Sequence, residues 1–321
     1  MRTPLRLGLF AAALLGVFAA AVGGGRLLVP SSAADGWRDE KPAHGTSGHE
    51  AEGTDAASAP SPVSGVVSSE RGYTLQDVSA PTIAGEAGVL AFTLTGPDGA
   101  AVTEYATEHE KDLHLIVVRT DGAEFRHVHP ILAEDGTWSI PWTWGSAGGY
   151  RLFADFVPRA LGEGLTLTTS LQVEGDVTSS GAPPVATVVS AGPYEVSIDG
   201  DVVAGTASEL TFSITRDGAP VVLEPYLGAN GHLVALRKGD LAYLHVHPEH
   251  GEETDASTVS FAAQVPSVGE YLLYLDVKID RQVHTAAFTV TAGEATSSAD
   301  DSGPPHTDTG TGTHTGTEQG H

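Results

Sequence analysis

The chain has 321 residues, no Cys, a single Met at position 1 and a formal net charge of −25 at pH 7. It is long enough for about two domains, and the lack of Cys excludes disulfides, thiolate metal sites and Cys nucleophiles. A bound metal must therefore use His, Asp, Glu or backbone oxygen. The acidic surplus repels nucleic acid and attracts cations, so we expect no nucleic-acid partner.

Residues 1–30 carry the pattern of a targeting segment. Arg2 and Arg6 precede a charge-free run from Leu7 to Gly25. That run exceeds the usual signal-peptide core and approaches the length that spans a bilayer. Because the basic flank stays in the cytoplasm, we predict a single-pass membrane anchor with the rest of the chain extracytoplasmic. Cleavage within "PSSAAD" is the alternative, and it would make the protein secreted.

Two polar segments enclose the remainder of the chain. Residues 31–71 and 294–321 lack apolar periodicity and are predicted to be a disordered linker and a disordered, His-containing tail. Between them, short runs with period-two alternation are separated by turn signals, and amphipathic helical stretches are missing. This pattern predicts an all-β fold of two tandem immunoglobulin-like β-sandwich domains, at residues 72–176 and 185–293.

The two β segments are internal repeats. "LHLIVVRTDGAEFRHVHP", from Leu113 to Pro130, matches "GHLVALRKGDLAYLHVHP", from Gly231 to Pro248, at an offset of 118. Further on, "YRLFAD" and "YLLYLD" place Asp155 and Asp276 at matching positions. Both blocks share one spacing of three histidines: His114, His127 and His129, then His232, His245 and His247.

Each block is predicted to form a β-hairpin. Asp121-Gly122 favours a type I′ turn and Gly239-Asp240 a type II′ turn. Two-residue loops at these positions would set the first and third histidines of each block directly opposite each other. The middle histidine lies two residues back along the strand and therefore shares their face. We predict three convergent imidazoles on one face of each hairpin.

Three neutral imidazoles suit a borderline divalent cation. We therefore predict one site per repeat for Cu(II) or Zn(II), with metal ions as the main partner. Additional oxygen or nitrogen ligands, or groups that orient the ligands, could come from four other side chains. These are His109, Asp155, Asp276 and His284.

Two alternatives remain open at this stage. Apolar residues share the predicted histidine faces, so the histidines could be structural residues of a cell-surface adhesion or spacer module. A cupin-like metalloenzyme is the other alternative, because both blocks continue as His-x-His-x4-Glu with Glu134 and Glu252. The second half of a cupin motif is missing, as are a nucleophile elbow and a phosphate loop, so we predict that the protein is not an enzyme. The shared apolar positions are Ile116, Val118 and Phe125, and Val234, Leu236 and Tyr243.

The segments "KDLHLIVVRTDGAEFRHVHP", "DGTW" and "GGYRLFADFVP" resemble exported bacterial β-sandwich proteins described as YtkA-like or heavy-metal-binding-domain proteins. These are related in architecture to CopC-like copper carriers, and the tandem form resembles secreted or membrane-anchored actinobacterial proteins. The resemblance runs from Tyr73 to Ala292 and implies metal binding by the six histidines, with His109 at a frequent family position. The N-terminal amine and Met ligands of CopC-like carriers have no counterpart in the folded region, which leaves the metal open.

Overall fold

The computed structural model describes residues 63–244, 246–248 and 256–294. Within these residues the chain is all-β, without a helix, and forms two successive sets of antiparallel strands. The first set contains β1 (Ser69–Glu70), β2 (Tyr73–Ser79), β3 (Ala87–Thr95), β4 (Tyr105–Ala106), β5 (Leu113–Arg119), β6 (Arg126–Val128), β7 (Ile131–Leu132), β8 (Thr137–Thr143), β9 (Gly148–Pro158) and β10 (Leu165–Val173). The second set contains β11 (Val188–Ala191), β12 (Tyr194–Asp199), β13 (Ala207–Arg216), β14 (Ala219–Pro220), β15 (His232–Arg237), β16 (Tyr243–Leu244), β17 (Val246–Pro248), β18 (Thr258–Gln264), β19 (Gly269–Ile279) and β20 (Gln282–Ala292).

Each repeat consists of two sheets that enclose an apolar core. The sheets of the first repeat have the strand orders β1-β2-β3-β8-β7 and β10-β9-β5-β6, with β4 beside β9. Those of the second repeat have the orders β11-β12-β13-β18-β17, with β14 beside β13, and β16-β15-β19-β20. Alternate residues point inward, such as Phe92 of β3 against Leu115 and Val117 of β5. The predicted all-β fold of two tandem repeats is confirmed.

The predicted anchor at residues 1–30 lies outside the described residues. In the part of the chain that the structure describes, no helix has the length and apolar character needed to cross a membrane.

The end of the predicted linker belongs to the first repeat, which corrects the boundary at residue 71. The Gly65 amide donates to the carbonyl of Thr166 at 3.1 Å, and the Thr168 amide donates to the carbonyl of Val67 at 2.9 Å. Residues 63–71 thus run along β10 and include β1. Composition missed this contact because pairing at a sheet edge uses main-chain groups, which a polar, Ser-rich sequence supplies as well as any other.

The strand that carries His114 is covered on both faces. All seven residues of β5 are buried, because Leu115 and Val117 face the sandwich core while Ile116 and Val118 face the second repeat. The face predicted to carry the metal ligands is therefore an interface between the two repeats. Its apolar cluster contains Ile116, Val118, Phe153, Val234, Leu236, Leu241, Tyr243, Leu272 and Tyr274.

Candidate metal centre

The first hairpin has the predicted register. β5 and β6 pair with Ile116 opposite His127, which is the pairing expected from a turn at Asp121-Gly122. Because residues two apart in a strand share a face, this register directs His114, His127 and His129 toward the same side. The prediction that these three imidazoles converge is confirmed by the distances between their ring nitrogens.

The turn that sets this register is longer than predicted. The Arg119 amide donates to the Ala123 carbonyl at 2.9 Å and the Gly122 amide to the Arg119 carbonyl at 2.8 Å, which closes a three-residue loop with Gly122 at φ 84°. Glu124 follows at φ 55° and acts as a bulge. The extra residue in the loop and the bulge compensate each other, so the strands beyond them keep the predicted pairing.

Three ring nitrogens lie close enough to share one ion. Nδ1 of His114 lies 2.9 Å from Nε2 of His127 and 3.2 Å from Nε2 of His129. The three ligand atoms lie within 4.8 Å of one another and form the one such group of His and carboxylate side chains found among the described residues. Zn–N bonds of about 2.0–2.1 Å in a tetrahedral site imply nitrogen separations of about 3.3–3.4 Å. Small adjustments of the rings would therefore suffice for ligation.

Hydrogen bonds on the outer sides of two rings determine which nitrogens carry hydrogen. Nε2 of His114 lies 3.2 Å from the carbonyl of Glu108, which only accepts, so Nδ1 of neutral His114 keeps its lone pair. Nδ1 of His127 donates to Oδ2 of Asp276 at 3.0 Å, so Nε2 of neutral His127 keeps its lone pair too. Two lone pairs therefore face each other across 2.9 Å. A cation between them, either a proton or a metal ion, resolves this repulsion.

Burial keeps the cluster in the form that binds metal. Burial, together with the nearby ring of His127, lowers the pKa of His114 to about 3. Burial also lowers the pKa of His129 to about 3 and holds the pKa of His232 well below its usual range. These three imidazoles are neutral near pH 7, so a metal ion would not have to displace a proton from them.

A turn in a rarely adopted backbone conformation brings a fourth histidine to the site. Glu108 and Lys111 exchange two backbone hydrogen bonds of 2.9 Å around His109 at φ 45° and Glu110 at φ 64°. Positive φ at both central residues is typical of a type I′ turn and costs residues with a Cβ about 1–2 kcal/mol each. The turn places the His109 ring 6.1 Å from that of His114 and supplies the Glu108 carbonyl that binds His114.

A fifth histidine comes from the second repeat. The His232 ring lies parallel to that of His114, with centroids 5.3 Å apart and 1° between the planes. It is also 4.7 Å from the ring of His127 and 5.4 Å from that of His109. His109, His114 and His232 border a cavity of about 20 Å³, which is room for one water-sized species. The five residues of this histidine cluster are His109, His114, His127, His129 and His232.

The second hairpin also starts in the predicted register, with Leu236 opposite Tyr243. Its loop has four residues rather than two, because the Arg237 amide donates to the Ala242 carbonyl at 2.9 Å and the Leu241 amide donates back to Arg237 at 2.9 Å. Leu241 takes φ 52° in this loop. The chain therefore turns at Gly239-Asp240 as predicted, but through a four-residue loop and not through a type II′ turn.

Beyond β16 the second hairpin departs from the first. β6 ends at Val128, which corresponds to Val246 in the second repeat, but β16 already ends at Leu244. The next strand, β17, pairs with β18 of the other sheet. His247 lies opposite Ala262, so the prediction that it lies opposite His232 is wrong. The chain after Leu244 can pair either with β15 or with the edge of β18. A period-two pattern does not distinguish between these two partners. His245 and the side chain of His247 lie outside the described residues.

The remaining predicted residues occupy different places. Asp155 pairs with His114 in the backbone register, and its carboxylate accepts hydrogen bonds from Thr166 at 3.0 Å and Tyr243 at 3.3 Å. His284 precedes the residue that pairs with Asp276 and therefore points to the opposite face of the sheet. Its ring packs edge-on against Tyr194 at 4.8 Å, so its prediction as an additional ligand is not supported by its position.

Glu134, the acidic residue of the cupin-like pattern, is exposed in the turn between β7 and β8. Glu252 lies outside the described residues. Asp276 was among the side chains predicted to orient a histidine, but the sequence did not indicate that its partner is His127 of the other repeat, and it did not indicate the Glu108 carbonyl at all. The Glu108 carbonyl is a backbone group that any residue could supply, and the contact of Asp276 with His127 joins the two repeats, which no local pattern reports.

The fold and the histidine cluster define this protein as a tandem-repeat, β-sandwich-like protein with a candidate metal centre between its repeats. The chain belongs to the family described as Domain of unknown function (DUF8832), whose model matches it twice, at residues 68–175 and 186–294. No curated protein sequence matches the chain.

Solved structures similar to the chain include the following three. Invasin, a bacterial integrin-binding protein, is 14% identical with a TM-score of 0.21, covering 69% of this chain and 39% of that chain. A Salmonella alpha-2-macroglobulin mutant is 13% identical with a TM-score of 0.25, covering 72% of this chain and 15% of that chain. The BSP domain of a biofilm associated protein is 16% identical with a TM-score of 0.21, covering 69% of this chain and 30% of that chain. The chain spans less than two thirds of the length of each of these structures.

Proposed function

We propose that the protein binds a divalent metal ion, Cu(II) or Zn(II), outside the cytoplasm and serves in metal handling. The ligands are His114, His127 and His129. The observation that carries this proposal is the convergence of their nitrogens, with lone pairs of two rings held face to face at 2.9 Å by hydrogen bonds on their outer sides. The lack of Cys, and of any Met beyond position 1, favours a borderline ion over Cu(I).

A metal ion accounts for the cluster better than a shared proton does. Nδ1 of His114 has one lone pair, yet Nε2 of His127 and Nε2 of His129 both approach it, at 2.9 and 3.2 Å. A proton can join only two of these three nitrogens. An ion placed among them uses a lone pair from each ring, and the net charge of −25 favours the approach of a cation. The resemblance to YtkA-like proteins supports the same function.

The deciding experiment is a titration of the full chain with Cu(II) and with Zn(II) in competition with a chelator of known affinity. We expect the double variant His127→Ala/His129→Ala to lose one equivalent of bound metal. The matched control is His284→Ala, which removes a histidine that packs on Tyr194 and should keep that equivalent. If the wild type binds neither ion and the double variant is destabilised, the histidines are structural residues of the interface. An adhesion or spacer role would then be the better interpretation.

The proposed location rests on the charge-free run from Leu7 to Gly25 that follows Arg2 and Arg6. We propose that this run anchors the protein in the membrane with both repeats outside. Cell fractionation and mass analysis of the native protein test this. An intact N-terminus in the membrane fraction supports an anchor, whereas a mature N-terminus near Ala34 would show a cleaved signal.

A further inference from the structure

We infer that Asp276 of the second repeat is a positioning residue for the metal centre of the first repeat, so that the centre is complete only while the two repeats are docked. The inference rests on the proposed function, because it concerns how one of the proposed ligands is held. It goes further in assigning to the second repeat a direct part in the chemistry of the site.

The contact that carries the inference is buried on both sides. Nδ1 of His127 donates to Oδ2 of Asp276 at 3.0 Å, and the exposed fractions of the two side chains are 0% and 4%. The other carboxylate oxygen, Oδ1, accepts from the hydroxyl of Thr285 at 2.5 Å. The second repeat thus orients the carboxylate through Thr285 and presents its free side to a histidine of the first repeat.

This arrangement is the one that metal-binding histidines need. An imidazole ligand usually donates its other ring N–H to a carboxylate or a carbonyl, which fixes the tautomer, orients the ring and raises the basicity of the ligating nitrogen. His114 receives this support within its own repeat, from the carbonyl of Glu108. His127 receives it from Asp276, 149 residues away along the chain.

The first repeat contains an equivalent carboxylate, Asp155. Asp155 accepts from Thr166 at 3.0 Å, as Asp276 accepts from Thr285. Its second oxygen, Oδ2, accepts from the Tyr243 hydroxyl at 3.3 Å. The Asp–Thr pair is therefore a shared feature of both repeats, and in the second repeat it is joined to the three-histidine group by the bond from His127 to Asp276.

A consequence is that metal binding and docking of the repeats are thermodynamically linked. A metal ion favours the His127 tautomer that carries hydrogen on Nδ1, and that tautomer needs an acceptor at the position of Asp276. By reciprocity, docking of the repeats strengthens metal binding by the same factor by which bound metal strengthens docking.

The test uses the full chain and Zn(II) as the probe. We expect Asp276→Asn to weaken Zn(II) binding about 10–100-fold, since loss of such an outer partner has effects of that size. Asp121→Asn is the matched control, because it removes a carboxylate that pairs with buried Arg119 at the far end of the hairpin. It should lower stability and leave the affinity for Zn(II) unchanged.

A second measurement does not depend on the folding of a variant. The ¹⁵N shifts of the ring nitrogens in the metal-free wild type report the tautomer of His127, with the ring assigned through its bonds to the His127 backbone. Hydrogen on Nδ1 in the wild type supports the inference, and hydrogen on Nε2 overturns it. Equal Zn(II) affinity of wild type and Asp276→Asn would also overturn it while leaving the proposed function intact. A wild type that binds neither Zn(II) nor Cu(II) would overturn both.

Discussion

His114 and His232, which occupy equivalent positions in the two repeats, lie ring against ring with centroids 5.3 Å apart and planes 1° from parallel. When equivalent residues meet each other, the two surfaces are related by an approximate two-fold axis, as in an isologous dimer interface. The chain therefore behaves like a symmetric dimer joined into one polypeptide. The histidine cluster lies at the centre of this interface.

The aromatic contacts obey the same symmetry. Phe125 of the first repeat stacks on Tyr274 of the second at 4.0 Å, with 3° between the rings. Tyr243, the equivalent of Phe125, contacts Phe153, the equivalent of Tyr274, at 5.9 Å. The same pair of positions is therefore in contact twice, once from each repeat to the other, and only the side chains differ. Tyr243 also lines the cavity that His109, His114 and His232 border.

Removing one of these rings should weaken the interface. Phe125→Ala deletes the ring stacked on Tyr274, and we expect the free energy of unfolding to fall by about 1–3 kcal/mol. Urea unfolding of the full chain measures this change. Val283→Ala is the control, because Val283 is 46% exposed and should change stability by less than about 0.5 kcal/mol. Equal effects of the two substitutions would contradict the assigned role of the stack.

The part of the site that lies within one hairpin was predictable from the sequence. Turn residues and period-two alternation are local signals, and they placed His127 opposite Ile116 as the structure has it. The error in loop length did no harm, because the bulge at Glu124 restored the register. Local signals therefore sufficed to bring His114, His127 and His129 to one face.

The part of the site that joins the repeats was not predictable. Ile116 and Val118 indicated a buried face, but burial does not say which surface covers it. Two equal repeats with equal patterns also predicted two equal sites. The structure instead brings His232 against His114 and sends the strand of His247 to another sheet. These outcomes depend on contacts between distant segments of the chain. Hydrophobic periodicity is a local signal and does not report such contacts.

The turn that carries His109 gives a prediction on backbone strain. Glu110 has φ 64°, and the equivalent residue of the second repeat is Gly228, with φ 86°. Glu110→Gly should raise the free energy of unfolding by about 0.5–1 kcal/mol, because Gly adopts this conformation without a Cβ clash. The reverse change, Gly228→Ala, should lower it by about 1 kcal/mol although a Cβ there meets nothing within 4 Å. Thermal unfolding compares the two, and a loss of stability in Glu110→Gly would contradict the strain.

The stability of the metal-free protein should depend on pH in a defined direction. In the folded state the pKa of His114 and of His129 is about 3, against an ordinary value of 6.5 in the unfolded chain. Between these values the unfolded chain binds more protons, so the free energy of unfolding should fall as pH falls below about 6.5. Above about pH 7 these groups should contribute no slope.

Denaturant midpoints between pH 7 and pH 5, measured with chelator present, test this prediction. In that range the surface carboxylates remain ionised, so a slope reports mainly the histidines. His129→Asn should reduce the slope. A midpoint that stays constant from pH 7 to pH 5 would show that the buried rings are not kept neutral.

Metal should stabilise the folded chain through the same three nitrogens. A ligand that binds only the folded state at about 100 times its Kd raises the free energy of unfolding by about 2.7 kcal/mol. We therefore expect Zn(II) or Cu(II) to raise the melting temperature of the wild type and of His284→Ala, and EDTA to reverse the rise. His127→Ala/His129→Ala should show no such rise, since two of the three nitrogens that lie within 4.8 Å of one another are gone. A rise of equal size in this double variant would place the bound metal elsewhere in the chain. Wild-type protein that does not respond to either ion would leave the histidine cluster as a structural part of the interface.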